Sequence, residues 1–265
     1  MARKVMVLVP HPDDAEFYAG GTLAKMIAGG DKVIIVVATD GNKGSLEVAS
    51  DILATLRYEE ARKAARVLGA EEPIMLGYHD FELDKIPAGQ LREQFIHLIR
   101  QHKPDVIVAE DAFAGGETHP DHRMVAWAAS DAIHYATLPL LHPEHLEQGL
   151  APHFVVEKYF FSDNPESANK IVDISETFER KMAALAEHKS QVKFLVEDIF
   201  NQARLAEIDL AGFLGEAVSD HMMALTWAMQ TQAAEIGQKA GFTYGESFRY
   251  MRFHPFVENI WVCFK

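Results

Sequence analysis

Hydrophobic and polar positions along the first half of the chain switch between two periods. Val5-Met6-Val7-Leu8-Val9 is a continuous apolar run the length of one strand buried on both faces, and Val33 to Val37, within Lys32 to Ala38, repeats it. Between them Gly20 to Ala28 predicts a helix, stopped by Gly29-Gly30. The three segments make a βαβ unit, right-handed by rule. Leu46 to Leu68 predicts a long helix whose apolar face carries Val48, Ile52, Ala61, Ala64, Ala65 and Leu68, with Gly69 as its stop. A strand over Pro73 to Leu76, a helix over Gln90 to His102 and a strand over Asp105 to Ala109 continue the alternation. Such alternation argues for an α/β fold, a mostly parallel sheet flanked by helices.

The second half is less regular. Phe154 to Phe161 and Ile171 to Ile174 read as strands. Ser175 begins a helix running to about Phe200, with Phe178, Met182, Leu185, Val192 and Val196 on its apolar face, and Asp209 to Phe242 reads as further helix. No repeat, low-complexity segment or linker divides the chain. The expectation is one domain over 1–265, with the α/β core in 1–150 and a largely helical elaboration in 151–265 that shapes the pocket.

Composition narrows the function. The chain has 265 residues, 48% hydrophobic and 24% charged, ample for a buried core. A net charge of −14 disfavours DNA, RNA or an anionic bilayer as partner and favours a small, uncharged or modestly charged substrate. Cys263 is the only cysteine, which excludes an intramolecular disulfide and a cysteine-rich zinc site. The apolar run before His11 is too short for a signal peptide, and no apolar stretch approaches the roughly 18 residues of a membrane span. A soluble cytoplasmic protein is expected.

The chemistry sits in two clusters. His11-Pro12-Asp13-Asp14 follows the first strand, and His119-Pro120-Asp121-His122 lies beyond Val106-Ile107-Val108. Open parallel sheets bind ligands beyond the carboxyl ends of their strands, where both clusters can meet. His11, Asp14 and His122 then offer two imidazoles and a carboxylate, a common zinc set that leaves a position for water. Zinc brings the pKa of such a water towards about 7. Asp13 becomes the candidate general base. His119, if protonated, would stabilise an oxyanion, and Asp121 could hold a histidine of the site in its tautomer. A single His-Pro-Asp is more often a turn or an Asx cap, but two such clusters after two strands favour a site. Glu16 suits the charge of a helix N-terminus at least as well as a direct role, and Gly20-Gly21 suits close packing of helix on sheet.

Other candidates are weaker. Gly41-Asn42-Lys43-Gly44-Ser45 lacks the Gly-Lys-Ser order of a nucleotide loop. His134, His142, His145 and His153 read as an exposed histidine-rich stretch before a second metal site. Met222, Met223, Trp227 and Met229 read as helix core or subunit interface.

The two clusters resemble those of the LmbE-like (PIG-L) zinc-dependent de-N-acetylases, with HPDDxE at His11 to Glu16 and HPDH at His119 to His122. Gly20-Gly21-Thr22, Thr39-Asp40-Gly41, Arg57-x-x-Glu60, His188-Lys189-Ser190-Gln191 and Gly245-Glu246-Ser247-Phe248 are similar to further family segments. The resemblance covers about residues 4 to 191 firmly; Ala15 stands where some members carry glutamate. It implies a Rossmann-like fold, one zinc per chain on His11, Asp14 and His122, Asp13 as base and His119 as oxyanion stabiliser. It also implies Arg57 as a substrate-binding residue, against the ordinary alternative of a helix arginine paired with Asp51, Glu59 or Glu60. The activity implied is removal of acetyl from an N-acetylglucosamine-type amide by a homo-oligomer, a trimer or hexamer. A metal phosphoesterase and a non-catalytic zinc or sugar-binding protein are the alternatives. His254 could reach such a site, although a packing role suits it better.

Overall fold

The computed structural model describes residues 2–260 apart from 88, 165, 167, 211, 213–219, 254, 255 and 259. His254 and Cys263 lie outside the described residues. The chain runs β1 (Lys4–Val9), α1 (Asp14–Ala28), β2 (Lys32–Thr39), α2 (Ser50–Leu68), β3 (Ile74–Tyr78), α3 (Gln90–His102), β4 (Val106–Glu110) and α4 (Pro120–Tyr135). It continues through α5 (Glu144–Glu147), β5 (Glu157–Phe161), β6 (Lys170–Asp173), α6 (Phe178–Leu185), α7 (Lys189–Leu205), α8 (His221–Gln238) and β7 (Gly245–Met251).

The seven strands lie in the order β3-β2-β1-β4-β5-β7-β6. β3, β2, β1, β4 and β5 are parallel, and β7 runs antiparallel to both β5 and β6. The expected α/β architecture is present. β1 lies between β2 and β4, so the connections leave in opposite directions there and open a crevice beyond the carboxyl ends of β1 and β4.

Alternation along β1 assigns its two faces. Val5, Val7 and Val9 pack with Ala15 and Leu23 of α1 and Leu68 of α2. Met6 and Leu8 pack on the other side with Phe95 and Ile99 of α3 and Val125 and Ile133 of α4. A third cluster joins α6, α7 and α8 through Phe178, Val196 and Leu225. Among the described residues no helix is long and apolar enough to cross a membrane.

Several boundaries differ from expectation, each for a local reason. α1 begins at Asp14, ahead of Gly20, because the first cluster itself opens the helix. α2 begins at Ser50, ahead of which the Ser45 hydroxyl accepts from the Glu47 and Val48 N–H groups and holds a turn. The helix expected over Ser175 to about Phe200 is two helices. The Glu60 carboxylate accepts from Ser190 N and Oγ at 2.9 and 2.6 Å, capping a fresh start at Lys189. β5 starts at Glu157 rather than Phe154, and α4 and β7 are elements beyond those the sequence pattern predicts.

Gly20 and Gly21 meet a helix and its approach rather than the sheet. A Cβ on Gly20 would lie 3.0 Å from Lys181 Cγ, and one on Gly21 would lie 2.8 Å from the Ile174 side chain. This close approach lets Lys181 Nζ reach Phe17 O and Glu246 Oε1, both at 2.7 Å, tying α1, α6 and β7 by a buried ion pair. Gly21→Val should therefore destabilise by about 1–3 kcal/mol through overpacking. Thermal unfolding reads it, and an unchanged midpoint would show that Ile174 yields without cost.

Candidate metal centre and active site

Both clusters occupy helix N-termini beyond adjacent strands. After β1, His11 N donates to Asp14 Oδ2 at 2.7 Å, and Asp14 is the first residue of α1. Asp13, just before it, has φ of 141°, a conformation L residues rarely adopt. Such a backbone costs of order 1–3 kcal/mol and is held only by surrounding contacts. After β4, His119 caps α4 by accepting the Asp121 N–H at Nδ1, 3.2 Å away, with Pro120 at the first helical position.

His11, Asp14 and His122 converge. His11 Nδ1 and His122 Nε2 are 3.2 Å apart, and Asp14 oxygens lie 3.4 Å from the first and 3.6 Å from the second. Metal bonds of about 2.0–2.1 Å in a tetrahedron separate ligand atoms by about 3.3 Å, so the three could hold one ion. The opposite nitrogens face carboxylates: His11 Nε2 is 3.1 Å from Asp80 Oδ1 and 3.6 Å from Asp121 Oδ2. His122 Nδ1 is 2.9 Å from Glu110 Oε2 and 3.7 Å from Glu117 Oε2. With a proton on each outer nitrogen, two lone pairs point at one another across the centre. A cation there satisfies both lone pairs and the Asp14 charge, so the donor set fits a metal.

The electrostatics agree. Burial lowers the His122 pKa, but Asp14 and Glu110 outweigh it and raise it to about 9. Burial likewise opposes, and the Asp121, Asp14 and Asp80 carboxylates more than restore, protonation of His11, which rises well above its usual value. Burial would raise Asp14, yet His122 and His11 hold it far below the carboxylate range. The centre takes up positive charge, from protons or from a metal.

Asp13 stands beside this centre. Arg57 Nη2 donates to its Oδ1 at 2.9 Å and to Pro12 O at 3.0 Å, while Nη1 donates to Gly41 O at 3.0 Å. Arg57 is buried and pairs with none of Asp51, Glu59 and Glu60. Gly41 makes room for it, since a Cβ there would collide with the guanidinium. Burial raises Asp13 to about 6, against the pull of Arg57.

His188 lies behind, fully buried, with Nε2 3.4 Å from Glu16 Oε2. Burial lowers its pKa, but Glu16 and Asp13 raise it on balance. Glu16 therefore both charges the first turn of α1 and faces His188.

His119 lies against Phe81, ring centroids 4.1 Å apart. Burial, then the charges of His11 and His122, lower its pKa. With Nδ1 used as acceptor, the neutral ring carries its proton on Nε2. Asp121 is fully buried, and its oxygens accept from the backbone N–H groups of Phe81 at 2.6 Å and Leu83 at 3.2 Å. His11, Asp13, Asp14, Arg57, His119 and His122 all line one cavity of about 580 Å³.

Sequence reasoning missed Asp80 and Glu110, the carboxylates nearest the outer nitrogens. The available signal was their position, since Glu110 ends β4 and Asp80 follows β3 at the same carboxyl end of the parallel strands. Of the later histidines, His142 and His145 come together with Glu144. The His145 nitrogens, however, are taken by Arg100 at 3.1 Å and Glu93 at 2.8 Å, and a guanidinium beside them opposes a cation. Met229 is buried in the third core cluster, whereas Met223 and Trp227 are exposed.

A model of the PIG-L family, described as GlcNAc-PI de-N-acetylase, matches residues 6–133. The chain is 33% identical over 192 residues to a diacetylchitobiose deacetylase of Thermococcus kodakarensis, covering 71% of this chain and 70% of that protein. It is 27% identical over 206 residues to a probable N-acetyl-alpha-D-glucosaminyl L-malate deacetylase of Bacillus cereus, covering 75% and 88%. Among solved structures, an N,N'-diacetylchitobiose deacetylase of Pyrococcus horikoshii, complexed with an inhibitor, superposes with a TM-score of 0.77 at 29% identity, over 95% of this chain and 84% of that one.

Two outcomes follow from the charge balance. Because the surrounding carboxylates favour the protonated forms of His11 and His122, protons compete with a metal for this centre, and ligation requires both inner nitrogens to be free of them. Binding of zinc to the metal-free protein at pH 7 should thus release one to about two protons. Calorimetry in buffers of different ionisation enthalpy counts them, and zero would refute the assignment. Asp80→Asn and Glu110→Gln should each weaken metal affinity about 10–100-fold, and equal affinities would deny these carboxylates an orienting role.

Proposed function

The chain belongs to the PIG-L, or GlcNAc-PI de-N-acetylase, family, and on that premise we propose that it is a zinc-dependent hydrolase removing acetyl from an N-acetylglucosamine-type sugar or conjugate. The observation that carries the reading is the spacing of His11 Nδ1, His122 Nε2 and the Asp14 oxygens, 3.2 to 3.6 Å, with Asp13 beside them in one cavity. His11, Asp14 and His122 would hold one zinc ion per chain. Bound there, zinc supplies a Lewis acid for the acetyl carbonyl and acidifies the attacking water.

The remaining steps belong to this chain's side chains. Arg57 engages Asp13 Oδ1 and leaves Oδ2 to accept the proton from water. Burial favours uptake of that proton by Asp13, against the pull of Arg57. Neutral His119 offers its Nε2–H to the developing oxyanion, a donor fixed by the α4 cap. Protonated Asp13 then gives its proton to the departing nitrogen as the C–N bond breaks, leaving acetate and a free amine. Asp121 positions the Phe81 to Leu83 loop and stands second to Asp80 behind His11. Arg57, facing the cavity, has a substrate-binding role compatible with its hold on Asp13.

A homo-oligomer in the cytoplasm completes the proposal. The exposed Met223 and Trp227 of α8 offer apolar surface for assembly. A light-scattering mass equal to the monomer would reject the trimer or hexamer.

Asp13→Asn should retain about one zinc per chain and lower acetate release about 10²–10⁴-fold. Metal analysis beside an acetate assay checks both. An unchanged rate removes Asp13 as base, and two metal ions per chain would favour a phosphoesterase instead.

A further inference from the structure

The cavity holding the candidate centre continues past it. Its volume of about 580 Å³ falls in the range of roughly 300–1,000 Å³ that buries a drug-sized ligand, more than one sugar ring requires. Beyond the cluster it is walled by Phe17 and Tyr18 of α1, Phe194 and Leu195 of α7, and Ala233 and Ile236 of α8. The buried polar side chains in this wall are already spent on the protein. Glu246 accepts from Gly21 N at 3.0 Å, Thr22 N at 2.8 Å and Lys181 Nζ at 2.7 Å. Lys181 Nζ also donates to Phe17 O at 2.7 Å, and Gln191 Nε2 donates to Gly44 O at 2.9 Å. Gln232 and Ser247 also line the cavity but are not buried, so hydroxyls of a second sugar ring could be partnered there, whereas each one buried against the apolar wall without a partner costs roughly 1–3 kcal/mol. Hydrocarbon meets no such penalty.

The reacting acetamide is on C2 of the sugar, so a substituent on the neighbouring anomeric carbon is the part of a conjugate nearest the scissile bond. We propose that the space between α1, α7 and α8 is a subsite for an apolar aglycone, an alkyl or aryl group on the anomeric carbon of the N-acetylglucosaminyl substrate. The inference rests on the deacetylase reading and names its substrate class.

The test is a series of methyl, butyl, hexyl and 4-nitrophenyl N-acetylglucosaminides beside diacetylchitobiose. Acetate release is measured on the zinc-loaded protein, and Kd is measured by calorimetry on the Asp13→Asn protein. Full burial of one methylene changes affinity at most about fourfold, so hexyl should exceed methyl by at least ~tenfold in both readouts. Ala233→Phe, which fills the space, and Leu195→Ala, which removes wall, should each reduce the hexyl-to-methyl ratio. The second is a truncation that keeps the test open if the first fails to fold. Rates and Kd that are flat across the series, or diacetylchitobiose preferred over the hexyl glycoside, overturn the subsite. A graded Kd with no acetate from any compound leaves the subsite standing and overturns the deacetylase reading.

Discussion

Two imidazole nitrogens held 3.2 Å apart inside a shell of carboxylates set the constraint on which the rest depends. Asp14 lies between them, Asp80 and Glu110 lie behind them, and Asp121 and Glu117 stand one step further out. Buried carboxylates are costly unless paired, so this shell is stable only around positive charge. Protons can supply it, since Asp14 and Glu110 favour the charged form of His122, and so can one metal ion. The choice between them links the state of the centre to pH and gives Asp13 its neighbourhood.

The fold meets the cost of that arrangement with backbone. β1 and β4 are adjacent and parallel, so their carboxyl ends release both clusters into one crevice. Asp14 and Asp121 each fall in the first turn of a helix, where unpaired N–H groups favour negative charge. Asp121 gains two further N–H donors from the loop after β3. Asp13 is different, because its left-handed backbone stores strain rather than relieving it. Arg57 offsets this by bonding Pro12 O and Asp13 Oδ1 together, and it reaches them only because Gly41 has no side chain.

What could be read in advance divides along the same line. β1, β2 and β4 are continuous apolar runs rich in β-branched residues, and no other local structure buries them as well; the two clusters were legible because they follow such runs. The start of α1 was set too late because apolar periodicity begins at Gly20, whereas the helix begins where Asp14 satisfies it. The break at residues 186–188 was invisible because Phe178, Met182, Leu185, Val192 and Val196 keep their spacing across it. What breaks the helix is Glu60, distant in sequence and adjacent only after folding. Asp80 and Glu110 escaped for that reason too, since a lone acid in a loop or at a strand end carries no pattern until the histidines arrive.

In the proposed function α1 serves both the chemistry and the selection of substrate. Its first residue, Asp14, faces the imidazoles, and Phe17 and Tyr18, one turn on, face the cavity. Next, Gly21 and Thr22 are fastened to Glu246 of β7, and the carbonyl of Phe17 to Lys181 of α6. The antiparallel insertion of β7 between β5 and β6 is what delivers Glu246 to that position. The candidate ligands thus come from beyond the ends of β1 and β4, while α7 and α8 line the far wall. Substitutions in α7 or α8 can reshape the wall without moving His11, Asp14 or His122. On the proposed reading, reaction type and substrate preference are therefore held by separate parts of one cavity, joined through α1.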